Sequence, residues 1–126
     1  MQSIDMDSVL ISTKKLAGLG EGYEDFDPDI ILFINSTFST LCQLGVGPKK
    51  GFKISDSSDK WSTYLPSEDY RLEMVKEFMY LKVKLVFDPP AISSVLTAFE
   101  NRTKELEFRI IAAADEISEE VSNEWF

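Results

Sequence analysis

At 126 residues the chain has room for one domain with a real core and none for a second. Its 44% apolar fraction, with nine Phe, four Tyr and two Trp, belongs to a folded globular protein and argues against disorder. With 22 acidic against 13 basic residues, no His and a net charge of −9, it lacks both the clustered cations that grip nucleic-acid phosphates and the usual general base and metal ligand.

Cys42 stands alone, which excludes an intramolecular disulfide and a Cys-based zinc site; it reads as a small hydrophobe buried on a helix. The first residues lack the basic-then-apolar order of a signal peptide. The uncharged window from Ile30 to Pro48 contains Asn35, Ser36, Thr37, Ser39, Thr40 and Gln43, too polar a set for a lipid-facing helix. The expectation is a soluble chain made in a reducing compartment, with no membrane contact.

In chain order, a first short helix is expected near residues 6–17, with Val9, Leu10, Leu16 and Ala17 as its apolar side and Gly18, Gly20 and Gly22 forming a flexible connection after it. A second follows at 28–44. Asp27 suits its N-cap, Pro28 its first position, and Ile30, Ile31, Ile34, Phe38, Leu41, Cys42 and Leu44 fall on one arc. Its other face carries Ser36, Ser39, Thr40 and Gln43, polar but uncharged, with Leu32 and Phe33 nearby; this face is either simply solvated or laid against another subunit. Residues 47–66 form one long loop. Phe52-Lys53-Ile54 alternates like a strand and leaves room for a short β-hairpin, while Trp61, Tyr64 and Leu65 look like anchors that pin the loop to the core.

The third helix, 68–87, is the organising element. Ser67 is its expected cap, with Glu68 and Asp69 in the first turn. Leu72, Met74, Val75, Phe78, Met79, Leu81, Val83, Leu85 and Val86 spread over an arc of roughly 200° on a wheel of 100° per residue, so this helix must be covered on two sides. Lys82 sits inside that arc and should lay its stem on the core. Asp88-Pro89-Pro90 ends the helix and sends the chain back antiparallel as a fourth helix, 92–121, striped with Val95, Phe99, Leu106, Ile110, Ala113, Ile117 and Val121. At about 40 Å this last helix is longer than a domain of this size is wide. The expected fold is mainly α: a small four-helix bundle around a central helical hairpin, in one domain, with 28–112 as core bundle and 113–126 as an extended helix end and tail.

No catalytic constellation is present: the three spaced glycines have no strand before them and no Lys-Ser/Thr after them. Neither an enzyme nor a cofactor is expected. What remains unexplained are apolar residues on the wrong sides of helices. Tyr80 and Phe87 lie on the charged side of the third helix, Phe108 and Ile111 lie off the stripe of the fourth, and Trp125 and Phe126 close an acidic tail. All six are candidate subunit or partner contacts, because aromatic side chains anchor interfaces.

The segments Leu41-Cys42-Gln43-Leu44-Gly45-Val46-Gly47-Pro48, Gly51-Phe52-Lys53-Ile54 with Trp61, and Met79-Tyr80-Leu81-Lys82-Val83-Lys84-Leu85-Val86-Phe87-Asp88-Pro89-Pro90, followed by Ser93-Ser94 and Glu105-Leu106-Glu107-Phe108-Arg109, are similar to head-tail connector (adaptor) proteins of siphophage-like particles. The resemblance covers roughly residues 27–112. It implies a helical virion protein made in the host bacterial cytoplasm and placed in the neck between capsid and tail. There it would form a homo-oligomeric ring, dodecameric by resemblance, under the portal protein. Such a ring extends a channel through which DNA passes without specific binding, and it seats a head-completion (stopper) or tail-terminator protein. Two other readings stay open: another neck or tail-completion protein, and a soluble helical regulator that binds one partner through the same aromatic spots.

Overall fold

The computed structural model describes residues 5–123. The order is α1 (Val9–Leu16), a 3-10 helix (Glu21–Phe26), α2 (Asp27–Gln43), a one-turn helix α3 (Trp61–Tyr64), α4 (Arg71–Phe87) and α5 (Ser93–Asn123). The chain is mainly helical, as its periodicity predicts.

Helix α4 packs against α1, α2 and α5. Leu72, Val75, Phe78, Met79, Leu81 and Val83 are buried along it. Lys82 behaves as its place in the arc requires: half-buried, with Nζ 5.8 Å from the centre of the Phe78 ring. After the Asp88-Pro89-Pro90 break, α5 returns antiparallel. Tyr70 and Glu73, at the start of α4, line one groove with Ala112, Ala113 and Glu116 of α5. Along α5 the covered side chains recur every three or four residues, as Leu96, Phe99, Thr103, Leu106, Ile110, Ala113 and Ile117. That is the spacing of a two-helix seam. Val95, expected on the stripe, is displaced by Leu96 and exposed; the Val121 side chain lies outside the described residues. Thr103 is tolerated in the seam because its hydroxyl donates to the Phe99 carbonyl one turn back (2.8 Å).

The long loop holds no hairpin. Among the described residues there is no strand, only an isolated bridge between Ser8 and Lys60. Phe52 to Ile54 finds no second strand. Instead Asn35 of α2 takes both backbone groups of Ile54: its amide donates to the Ile54 carbonyl (3.0 Å) and its oxygen accepts the Ile54 N–H (2.8 Å). One side chain thus substitutes for a strand edge. The next residues close on α1. Ser8 caps α1 by accepting the Ile11 N–H and donates to the Ser57 carbonyl (2.7 Å), while Asp7 accepts the Ser62 N–H and hydroxyl at the start of α3. Trp61, Tyr64 and Leu65 are buried, as their anchoring role requires. Rings of Phe38, Phe52, Trp61 and Tyr64 meet with centroids 4.7–6.2 Å apart, and the Trp61 indole donates to Ser12 (2.9 Å).

Several end signals act differently from the sequence expectation. The glycine-rich connection continues into the 3-10 helix, which runs directly into α2. Asp27 therefore enters α2 rather than capping it, and its carboxylate pairs with Lys14 of α1 (2.7 Å). At α4 Ser67 does not cap the helix: the N-cap position is Tyr70, Asp69 before it accepts the Arg71 N–H (3.0 Å) and binds its guanidinium (2.6 Å), and Ser67 bonds Glu68. Cys42 is half-buried, facing the carbonyls of Pro48 and Lys49 at 3.8 Å.

The Gly45-Val46-Gly47 turn ends α2. Val46 donates back to the Leu41 carbonyl and Gly45 to that of Cys42, with Gly45 at φ +93°, which is the Schellman pattern. Gly47 is more constrained still. At φ +91°, a Cβ placed on it would fall 2.5 Å from the Tyr64 ring. Gly47→Ala is expected to cost roughly 2–4 kcal/mol, combining left-handed strain with overpacking. Gly20→Ala, where nothing stands within 4 Å, is expected to be close to neutral. Thermal melts followed by circular dichroism compare the two; equal melting temperatures would refute this account of the turn.

Candidate subunit and partner interface

The hairpin that carries the candidate residues is fastened across its width by one ion pair. Arg102 of α5 places Nε 2.7 Å and Nη2 2.8 Å from the two oxygens of Glu77 on α4, and its third nitrogen reaches Glu105. This fork joins the two helices at the surface beside the buried seam of Leu106 and Ile110, which turns the opposite side of α5 outward. Hydrogen bonds from the Arg102 guanidinium hold the Glu77 carboxyl below the usual carboxylate range, and Arg71 does the same for Asp69.

Phe108 and Ile111 are carried on the outside. Phe108 lies nearly opposite the seam on the helical wheel and is 73% exposed; Ile111, one turn along, is 36% exposed. Tyr80 and Phe87 are placed differently. Both are half-buried and pack against the core, Phe87 edge-on to Phe33 of α2 at 5.9 Å. Tyr80 lines a groove with Met6, Ser12 and Leu16 beside α1. The four residues therefore do not share one surface. Trp125 and Phe126, and with them the expected docking tail, lie outside the described residues, while Ser122 and Asn123 belong to α5.

A second exposed apolar place is the hairpin tip, and the sequence pattern hid it. Val86 continues the buried α4 row Leu72, Val75, Met79, and Val95 borders the α5 seam, so both read as core. Yet Val86 is 56% exposed, Val95 38%, and Ile92 between them 65%. The reason is geometric. At the last turn of α4, α2 still reaches the flank that carries Phe87, through Phe33, while the flank that carries Val86 is left open. Periodicity records which side of a helix is apolar but not where the covering elements stop. The uncharged face of α2 is likewise open at Leu32, Ser36, Ser39, Thr40 and Gln43.

Among the described residues no group of His, Cys, Asp or Glu side chains is arranged to hold a metal ion, and no helix is long and apolar enough to cross a membrane. Burial pushes the Tyr64 hydroxyl up, but that hydroxyl serves the Val46 carbonyl inside the core.

The Glu77–Arg102 fork has a pH signature. Because the Glu77 carboxyl is lower in the folded protein than its ordinary value of 4.5, the pair adds stability above that pH and loses it as the pH falls through the folded value. Glu77→Gln is therefore expected to flatten the loss of stability from about pH 5 downward, measured as urea midpoints; parallel curves for the two proteins would exclude it.

The model of one protein family, described as phage connector protein, matches residues 9–117, from the start of α1 to the last covered residue of the α5 seam. No curated protein and no solved structure matches the chain.

Proposed function

Since the chain belongs to the phage connector protein family, a family of structural proteins rather than enzymes, we propose that it is the head-tail connector (adaptor) of the virion neck. In this reading it forms a homo-oligomeric ring beneath the portal protein, extends the DNA channel, and seats the next neck or tail protein. The observation that carries the reading is Phe108, a large apolar side chain set on the outer face of the longest helix. Nothing within the subunit asks for it there. Burying it against a neighbouring subunit is worth about 1.5–3 kcal/mol per contact, and a ring repeats that contact around its circumference.

Two further features support the reading. Helix α5 has 31 residues against 17 in α4, and its covered side chains extend to Ile117, so only its last turns run on past the start of α4; a neighbouring subunit would meet that end. The net charge of −9 suits a channel that passes DNA without holding it.

Phe108→Glu is expected to abolish ring formation, in solution or on heads, while leaving helical content and melting temperature unchanged. Particle images and mass measurements provide the check, and normal rings from the variant would remove Phe108 from the interface. Deleting residues 123–126 is expected to leave folding intact but weaken attachment to portal-bearing heads, since an aromatic pair such as Trp125 and Phe126 is the kind of side chain that anchors interfaces. Full attachment of the truncated protein would show that the tail is not the anchor.

A further inference from the structure

We propose that copies of this chain join through two different faces of opposite charge order: the outer face of α5 on one copy meets the open face of α2 and the Lys49-Lys50 loop of the next. The proposal rests on the ring reading above and deepens it by naming the surface that receives Phe108.

The two faces match residue by residue in kind. On α5, Lys104, Phe108, Ile111 and Asp115 are exposed and fall within a sector of about 60° on the wheel. That face runs from base through apolar to acid, and no base follows Arg109 in the chain. Glu105, on its flank, is already held by Arg102. On α2, Asp29, Leu32, Ser36, Ser39 and Gln43 are exposed and fall within a sector of about 80°. Between Asp29 and Asp56 the only charged residues are Lys49, Lys50 and Lys53. Lys49 stands beside the last turn of α2, with its carbonyl 3.8 Å from the Cys42 sulfur. The α2 face therefore runs from acid through uncharged to base. Among the described residues, none of Asp29, Lys49, Lys50, Lys104 and Asp115 takes part in an ion pair.

Direction and spacing select the occupant. Phe33, near the start of α2, meets Phe87 at the end of α4, and a Cβ placed on Gly45 after α2 would fall 3.4 Å from Ala114 of α5. Helices α2 and α5 thus run the same way along α4. In a ring of many copies each copy is turned only slightly from the last, so α2 of one copy stays nearly parallel to α5 of its neighbour. Asp115 then comes to Lys49, Lys104 comes toward Asp29, and Phe108 and Ile111 lie against the uncharged middle. Eleven helical positions separate Lys104 from Asp115 and thirteen separate Asp29 from Cys42, about 16 and 20 Å; flexible lysine stems span the difference. The middle of the contact supplies burial, and the charged ends fix its register and reject a reversed neighbour. A contact between unlike faces closes into rings, whereas a face that matches itself stops at two copies.

Two charge-reversed variants of the full chain test this: Lys49→Glu with Lys50→Glu, and Asp115→Lys with Glu116→Lys. All four positions are exposed, so an unchanged melting temperature is expected for both. Each variant alone is expected to need at least about tenfold more protein than wild type to form rings, because like charges then face each other. An equimolar mixture of the two, in which copies can alternate, is expected to recover wild-type assembly. Mass measurements in solution and particle images of heads supplied with the protein read the result. Either variant assembling like wild type, or a mixture that fails to recover, would overturn the proposal. So would a two-copy product indifferent to the lysine changes, which places α5 on α5. Normal rings from the lysine variant with altered retention of DNA would assign Lys49 and Lys50 to the channel and overturn it as well. If Phe108→Glu abolishes rings while charge reversal leaves them intact, this contact falls and the ring reading stands. Wild-type protein that forms no ring in solution or on heads would refute that reading and the contact with it.

Discussion

Helix α4 cannot be left half in water. Its buried residues spread too widely around the axis for one neighbour to cover, and every other element is placed by that need. Helix α5 supplies one wall, along a seam with regular three- and four-residue spacing. Helices α1 and α2 supply the rest. The loop between α2 and α4 closes what they leave open, by inserting Trp61 and Tyr64 beside Phe38. Because no sheet is present to organise that loop, single polar side chains do so. Asn35 clasps Ile54, Asp7 caps α3, and Ser8 caps α1 while reaching Ser57.

That division explains what could be read from the residues alone. Helices are local objects, and the hairpin, the Asp88-Pro89-Pro90 break and the anchoring of Trp61, Tyr64 and Leu65 all follow from spacing and from proline. The loop is not local. The Phe52-Lys53-Ile54 alternation looks like a strand, and only the position of Asn35, 19 residues earlier, determines that the backbone of Ile54 is satisfied by a side chain. Caps fail for a related reason. Asp27 and Ser67 have the right chemistry, but the 3-10 helix leading into α2 and the Arg71 guanidinium beside Asp69 decide which acid meets which N–H.

The candidate surfaces were legible unevenly. Phe108 is visible from the wheel because it stands opposite the seam. Tyr80 and Phe87 also stand off the main stripe, yet α1 and α2 approach α4 from that flank and half-cover them. Val86 and Val95 fail in the opposite direction: they lie on or beside the stripe and are nonetheless exposed. A helical wheel compresses the axis to a point, so it loses the coordinate that tells the middle of a bundle from its end.

Several residues in the segments that mark the family are ones the fold can explain. Gly45 and Gly47 are required by the turn after α2 and by the Tyr64 ring. Trp61 fills the core, and the two prolines end α4. Each of these residues has a task inside the subunit, so this part of the family resemblance records how the subunit is built. Residues that the fold does not need, Phe108 on the flank and Ile92 at the tip, are free to follow the shape of whatever lies beside the subunit. Selection on assembly should therefore act at exposed apolar positions whose loss leaves the isolated subunit as stable as before, while substitutions at Gly47 or Trp61 should be felt first in folding.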